Sequence, residues 1–356
     1  MRIVVDVSPL SHRRTGIGNY IRGSLAGIAE VAAGEHELVA FAPASPAGRR
    51  EIDAALDGLP LERRLPTLPL AHVLRVVWSK LGRPPAERFV GALDVLHFSD
   101  WMYPPQRNGV RTTMIHDLVP LRFPQWVHPR TRRMHRAKLR HAARTCDLLF
   151  TNSRFTADDV AERLRVPPER IVVAPPGVGE AFAPEGPRTD LGRPYVLTVA
   201  TLEPRKNLQT LLKAYRLLDG EHMLAIAGGA GWGPQPELAV PGVRPLGYTP
   251  LDELPALYRG ASVFVYPSRF EGFGMPAVEA MACGIPAVVS SHPSLDEAAG
   301  DAAVRADPES AESIAAAIEE ALRRRDELVP RGLEHARRFT WRENGRVHLE
   351  AWREAA

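Results

Sequence analysis

A segment dense in proline and glycine divides this chain and limits its folds more than any other feature. Residues Pro175–Pro194 contain nine Pro or Gly in 20 positions. Such a density interrupts both strands and helices, because proline removes a backbone donor and both residues favour turns. The chain of 356 residues therefore divides into two parts, each long enough for a domain with its own core.

Short apolar runs alternate with longer amphipathic stretches in both parts. This alternation is typical of βαβ units, which build a parallel sheet covered by helices. The strands predicted before the segment are Ile3–Val7, Leu38–Phe41, Val95–Phe98, Thr112–Ile115 and Leu148–Thr151. Those predicted after it are Tyr195–Ala200, Met223–Ala227, Val263–Tyr266, Ala287–Ser290 and Ala302–Val304. Predicted helices include Asn207–Leu218, Pro276–Cys283 and Ala311–Arg324, and a last amphipathic stretch covers Trp341–Ala356.

Composition and charge narrow the class of protein. Cys146 and Cys283 are the only cysteines and lack metal-ligand spacing, which favours a reducing cytoplasm. The N-terminus lacks a cleavable signal pattern, and no apolar run approaches the roughly 18 residues of a membrane span. Residues 1–174 hold 26 Lys and Arg against 17 Asp and Glu, a balance of +9; residues 175–356 hold 19 against 25, a balance of −6. We expect an anionic partner for the first part, and the absence of a zinc module or RNP-like strand argues against nucleic acid.

Two glutamates eight positions apart mark the strongest candidate site. Glu271 and Glu279 flank the run Gly272–Gly274, and Pro276 suits the first turn of a helix. Glycines let the backbone approach a ligand, and the free N–H groups of a helix start attract phosphate. The arrangement fits a ligand with phosphate and hydroxyl groups, such as a nucleotide-sugar. A strand–turn–helix joint with a dipole-stabilising Glu is the alternative.

Three further runs place chemistry-bearing residues near predicted strand ends or helix starts. Thr15–Tyr20 reads T-G-I-G-N-Y, but Ile21 stands where a dinucleotide-binding loop has its third glycine, so a plain loop is an equal alternative. His116 follows a predicted strand, where ligands of open α/β sheets gather, although a lone His is more often structural. Arg205 and Lys206 precede a predicted helix, and cations at the positive end of its dipole indicate an anion.

Together these runs resemble the retaining GT-B glycosyltransferases of family 4. The resemblance rests on F-E-G-F-G-x-P-x-x-E-A-M-A-x-G-x-P, E-P-R-K-N, I-H-D-L-x-P and T-G-I-G-x-Y, and it covers nearly the whole chain. It implies an α/β protein with two Rossmann-like domains whose parallel sheets face each other across a cleft. Residues 1–174 would form the acceptor-side domain, 175–194 the linker and 195–340 the nucleotide-sugar donor domain. Residues 341–356 would form a helix that crosses back to the first domain.

The resemblance also assigns roles to single residues. His116 would contact the donor sugar beside the reacting carbon, Glu271 would hold sugar hydroxyls and Glu279 the ribose. Tyr248 would lie against the nucleobase, or it is simply a partly buried aromatic residue. The remaining donor-binding positions are Gly16, Gly18, Thr201, Gly272, Phe273 and Gly274.

The diphosphate is where the sequence departs from the family pattern. Lys206 occupies the position of the family's diphosphate-binding Lys, but Thr201 stands where its Arg is expected. Arg205 is the candidate replacement, as a subgroup with E-P-R-K-N suggests. The resemblance implies attack on the front face of the sugar, with the departing diphosphate accepting the acceptor proton. No metal and no cofactor are expected.

The implied reaction is a retaining hexosyl transfer from a nucleoside-diphosphate sugar, with GDP-mannose favoured. The acceptor would be a hydroxyl of a glycan or lipid-linked acceptor in cell-surface polysaccharide or glycolipid biosynthesis. A UDP-sugar-dependent family 4 transferase, a nucleotide-sugar 2-epimerase and a glycoside hydrolase are the alternatives. We expect a cytoplasmic protein with peripheral contact to the inner membrane face. The basic run His128–Arg144 would serve that contact, or it is a solvated surface.

Overall fold

The computed structural model describes residues 1–12, 14, 16–68, 71–99, 103–231 and 233–356, so Thr15 of the T-G-I-G-N-Y run lies outside the described residues. The chain separates into two compact units. Unit 1 comprises Met1–Leu118, Met134–Gly177 and Thr340–Ala356, and unit 2 comprises Val119–Arg133 and Val178–Phe339. The boundary after Gly177 falls inside the segment dense in proline and glycine.

The helices cover most of the amphipathic stretches. In chain order they are α1 Gly16–Ala32, α2 Pro46–Ala55, α3 Ala71–Leu81, α4 Glu87–Val90, α5 Val119–Arg122, α6 Pro129–Thr145, α7 Arg154–Leu164, α8 Leu208–Tyr215, α9 Leu254–Gly260, α10 Met275–Ala282, α11 Asp296–Ala299, α12 Ala311–Arg323, α13 Arg325–Ala336 and α14 Trp341–Ala355. None of the helices in these described ranges combines the length and the apolar composition that a membrane-spanning helix requires.

Within its described residues, unit 1 contains one parallel sheet of seven strands in the order β3-β2-β1-β4-β5-β6-β7. The strands are β1 Arg2–Asp6, β2 Glu37–Phe41, β3 Glu62–Arg64, β4 Val95–Phe98, β5 Val110–Ile115, β6 Leu148–Thr151 and β7 Ile171–Val173. The central strands are buried along their whole length, as expected for a parallel sheet covered on both faces. The strand order reverses between β1 and β4, which marks the edge where such sheets bind ligands.

The C-terminal helix α14 belongs to unit 1 and packs against α1. The two helices approach each other at glycines. A Cβ added at Gly27 would lie 1.8 Å from the carbonyl oxygen of Trp341, and one at Gly345 would lie 2.2 Å from the carbonyl carbon of Gly27. Trp352 fills the core beneath α14 and is fully buried. The close approach therefore depends on residues without a side chain.

In the part of unit 2 that the structure describes, a second parallel sheet has six strands in the order β10-β9-β8-β11-β12-β13. The strands are β8 Tyr195–Val199, β9 Met223–Ala227, β10 Val243–Gly247, β11 Val263–Tyr266, β12 Ala287–Ser290 and β13 Val304–Ala306. One hydrophobic cluster covers each face of this sheet. The order reverses between β8 and β11. Two Rossmann-like parallel sheets confirm the predicted fold class.

Differences from the predicted strands fall at the edges of the sheets. The strands β3, β7 and β10 were not predicted, and β13 lies two residues beyond the predicted Ala302–Val304. Edge strands pair on one side only and need less burial, so β3, β10 and β13 lack a continuous apolar run. The edge strand β7 is apolar, I-V-V, but only three residues long. The strand β3 reads E-R-R, and β10 contains a proline.

Candidate functional site

The carboxyl ends of β8 and β11 bring the main candidate residues of unit 2 together. These strands are neighbours, and the strand order of the sheet reverses between them, which is where open α/β sheets bind ligands. A single 3-10 turn, Pro204–Lys206, follows β8, and the loop at residues 267–274 follows β11. Arg205 and Lys206 lie in this turn and Glu271 lies in this loop, so all three are at the carboxyl edge of the sheet.

Glu271 is the centre of a buried ion cluster. Lys206 Nζ lies 2.7 Å from Glu271 Oε1 and donates a second hydrogen bond of 2.6 Å to the hydroxyl of Tyr266. Arg205 Nη1 lies 2.6 Å from Glu271 Oε2, and its Nη2 lies 2.9 Å from Glu203 Oε1. The cluster therefore joins two cations to two carboxylates, all of them mostly buried.

Burial and charge act in opposite directions on Glu271. Burial alone would raise the pKa of its carboxyl, but the charges of Arg205 and Lys206 outweigh it and lower the pKa to about 2. Burial and the neighbouring Arg205 charge lower the pKa of Lys206. Glu271 is thus ionised at neutral pH and holds the two cations in place. An incoming anion has to compete with this carboxylate for them.

Glu279 has the opposite electrostatic environment. It lies in α10, is buried, and accepts a hydrogen bond of 3.0 Å from the hydroxyl of Tyr258. Burial raises its pKa to about 7, against which the Tyr258 hydrogen bond acts only partly. The two glutamates of the E-x7-E pattern therefore differ in pKa: Glu271 is ionised at neutral pH, whereas Glu279 titrates close to it. Such divergence within one pair is typical of functional sites.

The backbone between the two glutamates is shaped by glycine. Gly274 precedes α10 with a φ of +107°, and a Cβ there would lie 2.4 Å from Leu295 Cδ2. The backbone N–H of Glu271 donates to Ser294 Oγ at 3.0 Å. The Phe273 side chain packs in the core against Phe339, with ring centroids 5.2 Å apart. Phe273 can therefore offer a ligand only its backbone, and Gly272 lies beside it in the same loop.

Two further predicted residues follow strands at the same edge of the unit 2 sheet. Thr201, after β8, donates a hydrogen bond of 3.1 Å from its hydroxyl to Glu203 Oε1, which links it to the ion cluster. Tyr248 follows β10 and is 43% exposed. Beside it, the backbone N–H of Gly228 donates to the carbonyl of Gly247 at 2.7 Å and so joins the ends of β9 and β10.

In unit 1, Gly16 and Gly18 lie in the first turn of α1, not in the loop that the sequence predicted. Neither has a positive φ, and a Cβ at Gly16 would meet no atom within 4 Å. The first N–H groups of a helix have no intrahelical acceptor, so this turn presents donors as a loop would. Nothing in the packing of the described residues requires glycine at position 16.

His116 directly follows β5, at the carboxyl edge of the unit 1 sheet. Its ring meets the ring of Tyr20 edge to face, with centroids 5.0 Å apart. The Tyr20 hydroxyl donates to the carbonyl of Ala174 at 3.1 Å and accepts from Asn344 Nδ2 at 3.0 Å. Helix α14 therefore helps to position the candidate histidine.

A grouping with metal-ligand spacing occurs elsewhere in the described residues. Ligand atoms of Asp219, Glu221 and His222 lie within 4.8 Å of one another. These residues precede β9, at the amino end of the sheet, whereas the ion cluster lies at the carboxyl end. They are thus not part of the candidate site.

Comparison with known proteins shows which family the chain belongs to. A family model described as "Glycosyl transferases group 1" matches residues 181–346, and one described as "Glycosyltransferase Family 4" matches residues 16–182. The chain is 32% identical to the O-antigen chain mannosyltransferase B of Escherichia coli, over 96% of each chain. The chain belongs to glycosyltransferase family 4.

One further sequence relative and one solved structure are also similar to this family member. It is 29% identical to the serotype-specific mannosyltransferase WbdA of Escherichia coli over 67% of its own length, and it spans about a third of that longer relative, 32%. The crystal structure of Anabaena Alr3699/HepE in complex with UDP matches with a TM-score of 0.68, at 16% identity, over 99% of both chains. The latter likeness supports the GT-B fold.

Several residues around the family 4 motifs were missed by sequence reasoning. Tyr266 binds Lys206, Tyr258 binds Glu279, and Asn344 binds Tyr20. Asp6 is a fourth case: it ends β1, fully buried, and accepts hydrogen bonds from Ser8 and Ser99, while burial raises its pKa. The position of Tyr266 and Asp6 at the last residue of buried strands was an available signal.

Proposed function

We propose that this glycosyltransferase is a retaining mannosyltransferase that uses GDP-mannose. The acceptor in this proposal is a hydroxyl of a glycan or lipid-linked glycan in cell-surface polysaccharide synthesis. The observation that carries the proposal is the ion cluster of Arg205, Lys206 and Glu271 at the point where the strand order of the unit 2 sheet reverses. The O-antigen mannosyltransferase similar along 96% of the chain supports the choice of sugar.

The cluster offers both kinds of group that a nucleotide-sugar donor needs. Lys206 and Arg205 stabilise negative charge on the departing diphosphate, and such preorganised charge is commonly the largest catalytic contribution. Glu271, ionised because its pKa is about 2, accepts hydrogen bonds from sugar hydroxyls. The carboxylate of Glu279 accepts from ribose hydroxyls, and its pKa near 7 makes this acceptance depend on pH.

In unit 1, we propose that His116 contacts the sugar and that the first turn of α1 contacts the donor diphosphate. The open space at Gly16 supports this role, because neither packing nor dihedral angles account for a glycine there. The acceptor hydroxyl attacks from the face that the diphosphate leaves, and the diphosphate takes the proton. The configuration at the anomeric carbon is then retained, without a metal or cofactor.

Turnover of GDP-mannose by variants of the ion cluster tests the site. We expect Lys206→Ala to lower kcat/KM about 100-fold or more, as removal of one oxyanion-stabilising group does elsewhere. Glu271→Gln should also lower it, because the sugar hydroxyls lose their carboxylate acceptor. Glu309→Gln is the matched control, because Glu309 pairs with Arg269 in an exposed salt bridge outside the cluster. Undiminished turnover in either cluster variant would contradict the site.

Product analysis separates the donor and mechanism from the alternatives. Release of GDP from GDP-mannose in preference to release of UDP from UDP-glucose supports the donor, and the reverse preference supports a UDP-sugar-dependent transferase. An inverted anomeric configuration by NMR would exclude the retaining mechanism. An epimerised sugar without acceptor would indicate a 2-epimerase, and cleavage of a plain glycoside without nucleotide would indicate a hydrolase.

We also propose peripheral contact between unit 1 and an anionic membrane surface. Three arginines in the part of α6 that belongs to unit 1 are exposed: Arg136, Arg140 and Arg144. Lys138 of the same run is instead buried, with its ammonium 5.8 Å from the Tyr103 ring centroid. On α3, Val73 and Val76 expose apolar surface. Binding to vesicles should require anionic lipid and weaken with salt, and salt-insensitive binding would argue against this contact.

A further inference from the structure

Four arginines line a cavity at the amino ends of β8 and β11. The cavity has a volume of about 500 Å³, and its charged lining residues are Arg188, Asp190, Arg193, Arg259 and Arg325. The ion cluster of Glu271 lies at the carboxyl ends of the same strands. A five-residue strand spans about 16 Å, so the cavity and the ion cluster are separated by the length of a strand.

Three of the four guanidinium groups, those of Arg193, Arg259 and Arg325, donate hydrogen bonds to backbone carbonyls. Arg259 donates to the carbonyls of Ala181, Ala183 and Pro187 at 2.7 to 3.1 Å, which fixes the segment that carries Arg188. Arg325 donates to the carbonyl of Ser262 at 2.8 Å, and Arg193 donates to the carbonyl of Gly220 at 2.6 Å. These contacts orient the arginines without neutralising them.

The cavity therefore keeps an excess of positive charge. In the described part of unit 2, none of the four arginines lies within 4.0 Å of a carboxylate, whereas Arg269 and Arg305 both form ion pairs. Asp190 is the single acid of the lining, and its Oδ1 already accepts from the backbone N–H of Gly192 at 2.7 Å. Burial and the nearby charge of Arg188 both lower the pKa of Arg325.

We propose that this cavity is a second anion site, separate from the ion cluster, that binds the diphosphate group of a phosphorylated ligand. Guanidinium groups bind phosphate oxygens in a bidentate manner and suit convergent recognition of this kind. The volume lies in the range of small-molecule sites and exceeds what one inorganic phosphate fills. The proposal does not depend on which sugar the enzyme transfers.

Binding of inorganic pyrophosphate to the full chain tests this site. The variant Arg188→Gln/Arg193→Gln changes two exposed residues and should lower pyrophosphate affinity at this site about tenfold or more, because charge-assisted hydrogen bonds to the ligand are lost. Arg216→Gln is the matched control, since it removes one exposed arginine of unit 2 outside the cavity. The affinity of this control should equal that of the wild type.

Site-specific modification distinguishes the cavity from the ion cluster. Pyrophosphate should protect Arg188 from phenylglyoxal, as read by peptide mass spectrometry, and should do so equally in Lys206→Gln. Loss of protection in Lys206→Gln, or unchanged affinity in Arg188→Gln/Arg193→Gln, would overturn the proposal. In a last step, GDP and anionic lipid vesicles are added separately as competitors of pyrophosphate. Displacement by GDP identifies a soluble nucleotide as the source of the diphosphate, and displacement by vesicles identifies a lipid headgroup.

Discussion

Glu279 should make the protein less stable as the pH rises, and Glu279→Gln should remove this loss. Burial raises the pKa of Glu279 from 4.5 to about 7, while the unfolded chain keeps the ordinary value. The unfolded state therefore binds fewer protons than the folded state between these two values, and the free energy of unfolding falls as the pH rises through them. Because one pKa unit corresponds to ~1.4 kcal/mol, the ionised carboxylate costs about 3 kcal/mol.

Glutamine keeps the shape of the side chain and still accepts the hydrogen bond from Tyr258, but it carries no charge. We expect Glu279→Gln to raise the free energy of unfolding by about 3 kcal/mol at pH 8.5 and to leave it nearly unchanged at pH 4.5. Urea unfolding of both proteins at several pH values measures the difference, in which all other titrating groups cancel. The transition assigned to unit 2 is the one to compare, since a two-unit chain need not unfold in one step.

Glu319→Gln is the control, because Glu319 is exposed on α12 and only 3.8 Å from Arg323 in a surface pair. Its effect should stay within about 0.5 kcal/mol at every pH. A Glu279→Gln difference that does not depend on pH would refute the electrostatic reasoning. A stabilising substitution that also weakens donor binding would indicate that Glu279 is kept for its ligand and not for the fold.

Three other predictions follow from buried contacts. Glu271→Gln should tighten binding of GDP several-fold while lowering turnover, because Lys206 and Arg205 lose their competing carboxylate; weaker GDP binding by calorimetry would contradict this. Burial lowers the pKa of His348 from 6.5 to about 4. The buried neutral ring therefore contributes about 3 kcal/mol to the free energy of unfolding above pH 6.5, and this contribution is lost as the pH falls through 4. His348→Phe keeps the stacking on Phe150 and should flatten this acid limb in urea titrations, and an unchanged slope would argue against it. Gly27→Ala should destabilise unit 1 by more than 2 kcal/mol, because its Cβ would meet the Trp341 backbone, whereas Gly34→Ala, where φ is +83° and space is open, tests dihedral strain alone.

The interior of the fold could be predicted from the sequence, and its borders could not. Strands such as β9 and β11 are buried on both faces and therefore appear as continuous apolar runs. The edge strand β3 reads E-R-R, and its pairing with β2 depends on backbone groups that carry no sequence signal. The composition of a segment therefore does not predict its backbone pairing with a distant strand.

The residues of the candidate site could be predicted from the sequence, but their contacts with one another could not. The motif residues Lys206 and Glu271 were expected to act on different parts of a donor, and their contact of 2.7 Å with each other was not foreseen. It depends on the adjacency of β8 and β11, which are separated by more than 60 residues of chain. Likewise, nothing in the local sequence of α14 predicts that Asn344 would bind Tyr20, 324 positions earlier. Partners of this kind follow from topology.

The crossing of α1 and α14 also affects the order in which the protein can form on the ribosome. Residues Trp341–Ala355 are translated after all of unit 2, yet they cover the core of unit 1 around Trp352 and complete its packing. Until then, the glycine-lined face of α1 stays open to solvent. Protease resistance of unit 1 in stalled nascent chains should therefore appear only after α14 has left the exit tunnel. Unit 1, most of which is translated before unit 2, is thus expected to complete its packing last.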